Sequence, residues 1–374
     1  MNEQKKCIKK RIILHVGLHK TASTYIQETL AESRQSLRSQ GWNYPLYSNG
    51  KKKGLSNHSN LLYTLFSENT NFYVPNIQSR TDAKELFNIY DKTLKSELMS
   101  DYNLILSGED VSALSLASLH KLAKALEPYD FIVIAFVRES YSYLCSNLQH
   151  RIHRGIHGLK IEGTNLSQNC YRLKEAFPEI KFFSYEKVKA EKNGFINVFS
   201  GLCNITIKPT NKKSANVSLG NKTIRFLAEF NLNYPLIIED NRLNPDRPSF
   251  NVKRLDFDKK KFLLTKSEFR TIAKKIREEN KKLRLCTGLE MIRIEKPIPF
   301  ADDSDLTWNE AMDLLIKTTT MPTTLAYRAL IYVLQQRIGL KLYRIIRPFL
   351  NILLFRNQII MRLKNLISQS PAKN

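Results

Sequence analysis

The first half of the chain alternates short apolar runs with segments of helical periodicity. The runs cover residues 11–16, 103–107, 131–137 and 180–184. The third is continuously apolar, as expected for a strand that is buried on both faces of a sheet. Strands that alternate with helices are typical of a parallel sheet with crossover helices. We therefore predict an α/β fold with a central parallel sheet flanked by helices.

Helical signals follow several of these runs. One helix is predicted to begin near Ser23 and to end at Gly41, a second covers residues 116–126, and a third covers residues 267–285. From Leu314 to Asn374 the chain contains ten Lys and Arg but neither Asp nor Glu, and its apolar residues recur at helical spacing between residues 342 and 353. We predict an α/β domain over residues 1–312 and a basic, amphipathic, helical C-terminal extension over residues 313–374.

Charge and cysteine content restrict the class of protein. The chain has 59 Lys and Arg against 35 Asp and Glu, a net charge of +24, which favours polyanionic or membrane-surface partners. Its five cysteines are scattered without a C-x-x-C pair, so we expect reduced thiols. Because there is neither a signal segment nor an apolar stretch of about 18 residues, we expect a cytoplasmic protein. The basic extension adds peripheral binding to the inner face of the membrane as a further expectation.

The turn after the first apolar run carries an anion-binding pattern. Residues 17–24 read GLHKTAST, a strand-to-helix turn in which backbone N–H groups and the helix dipole attract an anion. The spacing differs from the Walker A loop, which requires G-x-x-x-x-G-K-[ST]. The predicted phosphate-binding residues of this turn are Gly17, Lys20, Thr21, Ala22, Ser23 and Thr24.

This turn resembles the first loop of sulfotransferases that use 3′-phosphoadenosine 5′-phosphosulfate (PAPS), which reads approximately G-x-x-K-[ST]-G-[ST]-[ST]. Ala22 stands where that family has Gly. A second match lies at Arg138, which ends the third apolar run, and Ser146, eight residues later; in the family this pair contacts the 3′-phosphate of the nucleotide. Gln149 continues the S-x-x-Q pattern of bacterial, carbohydrate-type members. Weaker matches extend the resemblance over roughly residues 11–290.

The resemblance implies a P-loop-like sulfotransferase architecture, with PAPS as co-substrate and no metal. Lys20 would stabilise the leaving phosphate, and Tyr185 would contact the adenine. For the general base that takes the acceptor proton, Glu109 is the first choice and His58 the second. The implied acceptor is a hydroxyl or amine of a glycan or glycolipid, and no nucleic acid is expected as a partner.

Two other classes of function remain open. A P-loop nucleotide kinase or phosphotransferase would need the Walker spacing and a Mg²⁺-binding Asp at a strand end, and neither occurs at Gly17 or at Arg138. An inactive anion-binding adaptor would be indicated by loss of Lys20 or Arg138, but both residues are present.

Overall fold

The computed structural model describes residues 9–68, 80–156, 158–209, 219–233, 235–238, 243–244, 247, 260–292 and 296–297. Its centre is a five-stranded, all-parallel sheet with the strand order β2-β3-β1-β4-β5. The strands are β1 (Arg11–Val16), β2 (Trp42–Asn43), β3 (Asn103–Gly108), β4 (Asp130–Val137) and β5 (Lys181–Ser184). The predicted α/β class and parallel sheet are confirmed.

Helices connect and flank the strands. They are α1 (Ser23–Glu32), α2 (Arg34–Arg38), α3 (Ser59–Phe66), α4 (Arg80–Met99), α5 (Leu116–Leu126), α6 (Ser140–His153), α7 (Leu166–Ala176), α8 (Tyr185–Ala190), α9 (Gly194–Cys203), α10 (Asn221–Asn233) and α11 (Lys266–Thr287). A 3₁₀ turn, Glu109–Ala113, follows β3 directly.

Alternation along the central strands produces two apolar layers. Ile12, Leu14 and Val16 of β1 belong to a buried cluster that includes side chains of α3, α5 and α7. Ile13 points to the opposite face, where a second cluster includes side chains of α1, α8 and α9. Because side chains alternate between faces with a period of two, both faces of β1 are apolar and both are covered by helices.

The strand order identifies where a ligand would bind. The chain leaves β1 toward the β2 side of the sheet, whereas it leaves β4 toward β5 on the other side. The neighbours β1 and β4 therefore form a topological switch point, and the crevice outside their carboxyl ends is where open α/β sheets bind ligands. The loops at this crevice begin at Gly17 and Arg138.

Internal contacts divide the chain into two units. The first consists of residues 1–147, 163–216 and 272–295 and contains the sheet; the second consists of residues 148–162, 217–271 and 296–374. Within the second unit, Arg225 of α10 forms an ion pair with Glu268 at 2.8 Å, and Asn231 donates a hydrogen bond to the Ile152 carbonyl at 2.7 Å.

Two details of the described residues differ from the sequence predictions. Strand β2 was not predicted, since its two residues are too short to give a periodic signal. The helix predicted from Ser23 to Gly41 is broken at Ser33, where ψ is 1°. The predicted C-terminal extension, residues 313–374, lies outside the described residues. The four described cysteines are buried, and none of them forms a disulfide bond.

A candidate anion-binding site at the carboxyl edge of the sheet

The loop between β1 and α1 is folded by two left-handed residues. Lys20 has φ 66° and Ala22 has φ 67°, a region that residues other than glycine rarely occupy. Thr21 lies between them and is buried, and its hydroxyl donates a hydrogen bond to the Leu18 carbonyl. Ala22 is the N-cap residue of α1 but offers no side-chain cap. The first N–H groups of α1 therefore face the loop without an intrahelical acceptor, as an anion site requires.

Gly17 lies where this loop is closest to the turn after β3. A Cβ atom at this position would lie 2.5 Å from Ser23 Oγ and 2.8 Å from Glu109 Cβ. Ser23 Oγ is buried and has no hydrogen-bond partner among the described residues. A buried hydroxyl without a partner is costly unless a ligand or water satisfies it. The loop thus contains a polar group suited to an anion.

Arg138 joins the loop after β4 to the loop after β1. Its Nη1 donates a hydrogen bond to the Lys20 carbonyl at 3.0 Å, and its Nε donates to Ser142 Oγ at 2.8 Å. Arg138 is buried, and none of the described residues accepts a hydrogen bond from its Nη2. A buried guanidinium with a free donor is well suited to bind a phosphate.

The backbone after Arg138 is fixed by a polar network at the start of α6. The Glu139 carboxylate accepts hydrogen bonds from the Ser142 backbone N–H at 2.9 Å and from Asn280 Nδ2 at 2.7 Å. Asn280 Oδ1 in turn accepts from the Ser140 N–H at 3.0 Å. Ser140 Oγ is buried without a partner among the described residues. Two unpartnered hydroxyls, Ser23 and Ser140, therefore lie in the first turns of α1 and α6.

Tyr185 and Glu186 lie on the β5 side of Arg138. The Arg138 Cζ atom lies 4.7 Å from the centre of the Tyr185 ring, a cation–π distance. The Glu186 carboxylate accepts a hydrogen bond from the Glu139 N–H at 3.2 Å. Burial raises the pKa of the Glu186 carboxyl, whereas backbone hydrogen bonds and the Arg138 charge act in the opposite direction. Arg138 therefore has an aromatic ring and a buried carboxyl group as neighbours.

Glu109 lies at the opposite end of the crevice, beside a histidine. Glu109 and Asp110 follow β3, and His19 lies between their carboxylates. The distance from His19 Nε2 to Asp110 Oδ1 is 3.3 Å, and the distance from His19 Nδ1 to Glu109 Oε2 is 3.8 Å. The hydrogen bond with Asp110 raises the pKa of His19, although burial opposes this shift. Glu109 is therefore a solvent-accessible carboxylate with an ionisable neighbour.

His58 has a different environment from Glu109. It is buried, its Nε2 is 2.7 Å from the Pro45 carbonyl, and its Nδ1 accepts a hydrogen bond from the Ser107 N–H at 2.9 Å. Burial lowers its pKa to about 4. Both ring nitrogens therefore form hydrogen bonds with the backbone, one to Pro45 and one to Ser107 of β3. These bonds give His58 a structural role. The geometry favours Glu109 over His58 as a proton acceptor.

The predicted site residues differ in their contacts and in their exposure at the carboxyl edge of the sheet. Arg138 contacts the backbone of Lys20 directly, and the other predicted residues of the turn belong to the same loop as Lys20 or to the start of α1. Thr24 is exposed, and Ser146 is half-buried on α6. Three site residues were not predicted from the sequence: His19, Ser140 and Asn280. His19 lies inside the GLHKTAST turn, and Ser140 is two residues after Arg138. Asn280 is 140 residues from Ser140, and no motif in the sequence around it indicated a contact.

No group of three or more His, Cys, Asp or Glu side chains in the described part of the chain is arranged to hold a metal ion. Of the helices described, none is sufficiently long and apolar to cross a membrane. Comparisons with models of protein families, with curated proteins and with solved structures find no match to this chain.

Proposed function

We propose that this chain is a PAPS-dependent sulfotransferase with a P-loop-like architecture. The observation that carries the proposal is the 3.0 Å hydrogen bond from Arg138 Nη1 to the Lys20 carbonyl, which joins the two predicted phosphate-binding segments at the switch point of the sheet. The resemblance assigned both residues to the phosphates of one nucleotide, although 118 positions separate them.

The residues present fit the anionic groups of the co-substrate. The Ser23 hydroxyl and the first N–H groups of α1 would donate hydrogen bonds to the 5′-phosphosulfate, and Lys20 would contribute a positive charge there. Arg138, with Ser140 and Ser146 on α6, would hold the 3′-phosphate, and the Tyr185 ring would contact the adenine.

The reaction would be an in-line displacement at sulfur, analogous to phosphoryl transfer. Negative charge develops on the oxygen between phosphorus and sulfur as its bond to sulfur breaks. The α1 N–H groups and Lys20 would stabilise that charge, and the Glu109 carboxylate would take the proton of the attacking group. Neither step assigned to these residues uses a metal ion.

The acceptor would be a hydroxyl or amine of a glycan or glycolipid, and the basic C-terminal extension would bring the enzyme to the cytoplasmic face of an anionic membrane. The support for these two parts is the net charge of +24 and the absence of Asp and Glu after residue 313.

Calorimetric titration with adenosine 3′,5′-bisphosphate, the desulfated product of PAPS, tests the nucleotide assignment. We expect it to bind without added metal and more tightly than ATP, because Arg138 would recognise the 3′-phosphate. Adenosine 5′-phosphate is the matched control, since it lacks only that phosphate. Equal affinity for all three nucleotides would overturn the assignment. If adenosine 3′,5′-bisphosphate binds most tightly, transfer of labelled sulfate from PAPS would establish the activity.

A further inference from the structure

We propose that His19 receives from Glu109 the proton that the attacking group loses in the transfer reaction, and that Asp110 positions its ring for this role. The inference rests on the proposed function, and it assigns a residue that the sequence motifs did not identify. The His19 ring lies between two adjacent carboxylates that follow β3, and His19 is next to Lys20 in the β1 loop.

The two ring nitrogens have different partners. Nε2 is 3.3 Å from Asp110 Oδ1, which holds the proton on Nε2 and leaves the Nδ1 lone pair toward Glu109, 3.8 Å away. A carboxylate that fixes the tautomer of a histidine leaves its other nitrogen free to act as a base. The Asp110 side chain is only 13% exposed, whereas that of His19 is 44% exposed. The ring can therefore release a proton to solvent.

The proposed sequence of proton movements is balanced. The acceptor oxygen forms a bond to sulfur, and the bond from sulfur to the bridging oxygen breaks with its electron pair remaining on the nucleotide phosphate. The acceptor proton moves to the Glu109 carboxylate and then to Nδ1 of neutral His19, directly after the 3.8 Å gap closes or through one water molecule. The resulting imidazolium is stabilised by Asp110. Its proton is finally released to solvent.

The charged groups around His19 determine when it can accept that proton. Asp110 and Glu109 favour the protonated ring, and Lys20 disfavours it; the sum, with burial, is a pKa above the ordinary value. Because a ring that is already protonated cannot accept the proton of the acceptor, the transfer rate should rise with pH through the pKa of His19.

Two measurements on the full-length protein test the inference. In the first, NMR titration of histidine Cε1–H signals gives the pKa of His19, which is assigned with His19→Gln. We expect this pKa to fall in Asp110→Asn. The signal of His120, which is exposed on α5, serves as the control and should be the same in both proteins.

The second measurement is the release of labelled sulfate from PAPS with water as the acceptor, followed as a function of pH. We expect the acid limb of the profile to coincide with the NMR pKa of His19 and to move to lower pH in Asp110→Asn. His19→Gln should lower the rate at pH 7 by about 10-fold or more, and Glu109→Gln by about 100-fold. His120→Gln should retain the wild-type rate.

An acid limb that stays in place while the pKa of His19 moves would overturn the inference, as would a wild-type rate in His19→Gln. Absence of sulfate release from a protein that binds adenosine 3′,5′-bisphosphate would do the same. Failure of the proposed function can be distinguished from failure of this inference, because it would appear in the calorimetric titrations as equal affinity for nucleotides with and without the 3′-phosphate. The NMR comparison would still test whether Asp110 controls His19.

Discussion

Arg138 donates a hydrogen bond from Nη1 to the backbone carbonyl of Lys20 at 3.0 Å, so the guanidinium contacts the main chain of the β1 loop. Lys20 has a left-handed backbone conformation, which is unfavourable for a residue with a side chain. The hydrogen bond helps to hold that conformation. Substitution of Arg138 therefore removes a positive charge and also loosens the loop, whereas substitution of the Lys20 side chain leaves the hydrogen bond in place.

The first prediction separates nucleotide binding from catalysis. Arg138→Ala should weaken binding of adenosine 3′,5′-bisphosphate by roughly 10- to 100-fold, because it removes hydrogen bonds from a charged donor. Lys20→Ala should change this affinity by only a few-fold but should lower turnover by about 100-fold, because its strongest contact is with charge that develops in the transition state. Calorimetry and sulfate-transfer kinetics measure the two effects.

Arg138→Lys is the conservative variant for this comparison, since it retains the charge but lacks the planar guanidinium. Lys121→Ala removes a lysine whose side chain is 59% exposed and should alter neither quantity. If Lys20→Ala lowers affinity while Arg138→Ala lowers only turnover, the two roles are reversed.

The second prediction concerns Ala22, whose φ is 67°. A left-handed conformation costs an alanine about 1 kcal/mol that glycine does not incur. Ala22→Gly should therefore raise the free energy of unfolding by up to about 1 kcal/mol. The gain is reduced because glycine loses more backbone entropy on folding than alanine does. Denaturant unfolding measures this change. The matched control is Ala31→Gly within α1, which should lower stability by about 0.5–1 kcal/mol. Equal destabilisation by both would contradict the assigned backbone conformation.

The third prediction concerns Gly17, where space and not backbone conformation requires glycine. A Cβ atom would lie 2.9 Å from Glu109 Cα, and although the Ser23 side chain can rotate away, the backbone after β3 must shift. Gly17→Ala should destabilise the protein by about 1–3 kcal/mol and should lower transfer more than nucleotide binding, because Glu109 is displaced. Gly201→Ala in α9 is the control, since nothing lies within 4 Å of that Cβ position. A fully active and stable Gly17→Ala would show that the two loops are farther apart.

The fourth prediction is a loss of stability in acid. Burial lowers the pKa of His58 to about 4 and that of His15 to about 3, below the ordinary value of 6.5. Between pH 6.5 and these lowered pKa values, the unfolded chain binds protons that the folded chain does not. The two histidines therefore contribute fully to the free energy of unfolding above about pH 6.5, and this contribution is lost as the pH falls. His58 alone accounts for about 3 kcal/mol at about 1.4 kcal/mol per pKa unit. His19 acts in the opposite direction, because its pKa is raised.

Urea unfolding at pH 7, 6 and 5 measures this dependence, and we expect the free energy of unfolding to decrease at each step. Substitution of the exposed His120 by Gln should not change the slope. A free energy of unfolding that stays constant or rises between pH 7 and pH 5 would mean that the two buried histidines titrate normally.

Strands β1, β3 and β4 were predictable because a strand that is buried on both faces leaves a largely apolar run in the sequence. Strand β5 lies at the edge of the sheet and was predicted from a shorter run over residues 180–184. Lys20 and Arg138 were predictable as site residues because each belongs to a motif that resembles the sulfotransferases and each follows a strand that is buried on both faces. The environment of His58 was not, because a polar loop sequence does not reveal whether a ring will be enclosed by Pro45 and Ser107. Asn280 was missed for a similar reason: its contacts arise only when α11 packs beside the start of α6.

The last prediction concerns the C-terminal extension, for which the sequence provides the argument. Residues 314–374 contain ten Lys and Arg and no Asp or Glu, and their apolar residues include Leu342, Ile346, Phe349 and Leu353 at helical spacing. Each basic residue at an anionic bilayer contributes about 1 kcal/mol at low salt, and shallow burial of the apolar stripe adds to this. We expect the full-length protein to sediment with vesicles of anionic lipid at low ionic strength and to be released by salt.

A triple variant, Arg337→Gln, Lys341→Gln and Arg344→Gln, should bind more weakly. The control variant, Lys51→Gln, Lys52→Gln and Lys53→Gln, removes the same charge from an exposed loop and should bind like the unmodified protein. Protein that stays in the supernatant with anionic vesicles at low salt would exclude the membrane-binding role and favour a segment whose apolar side chains are already covered by the rest of the chain.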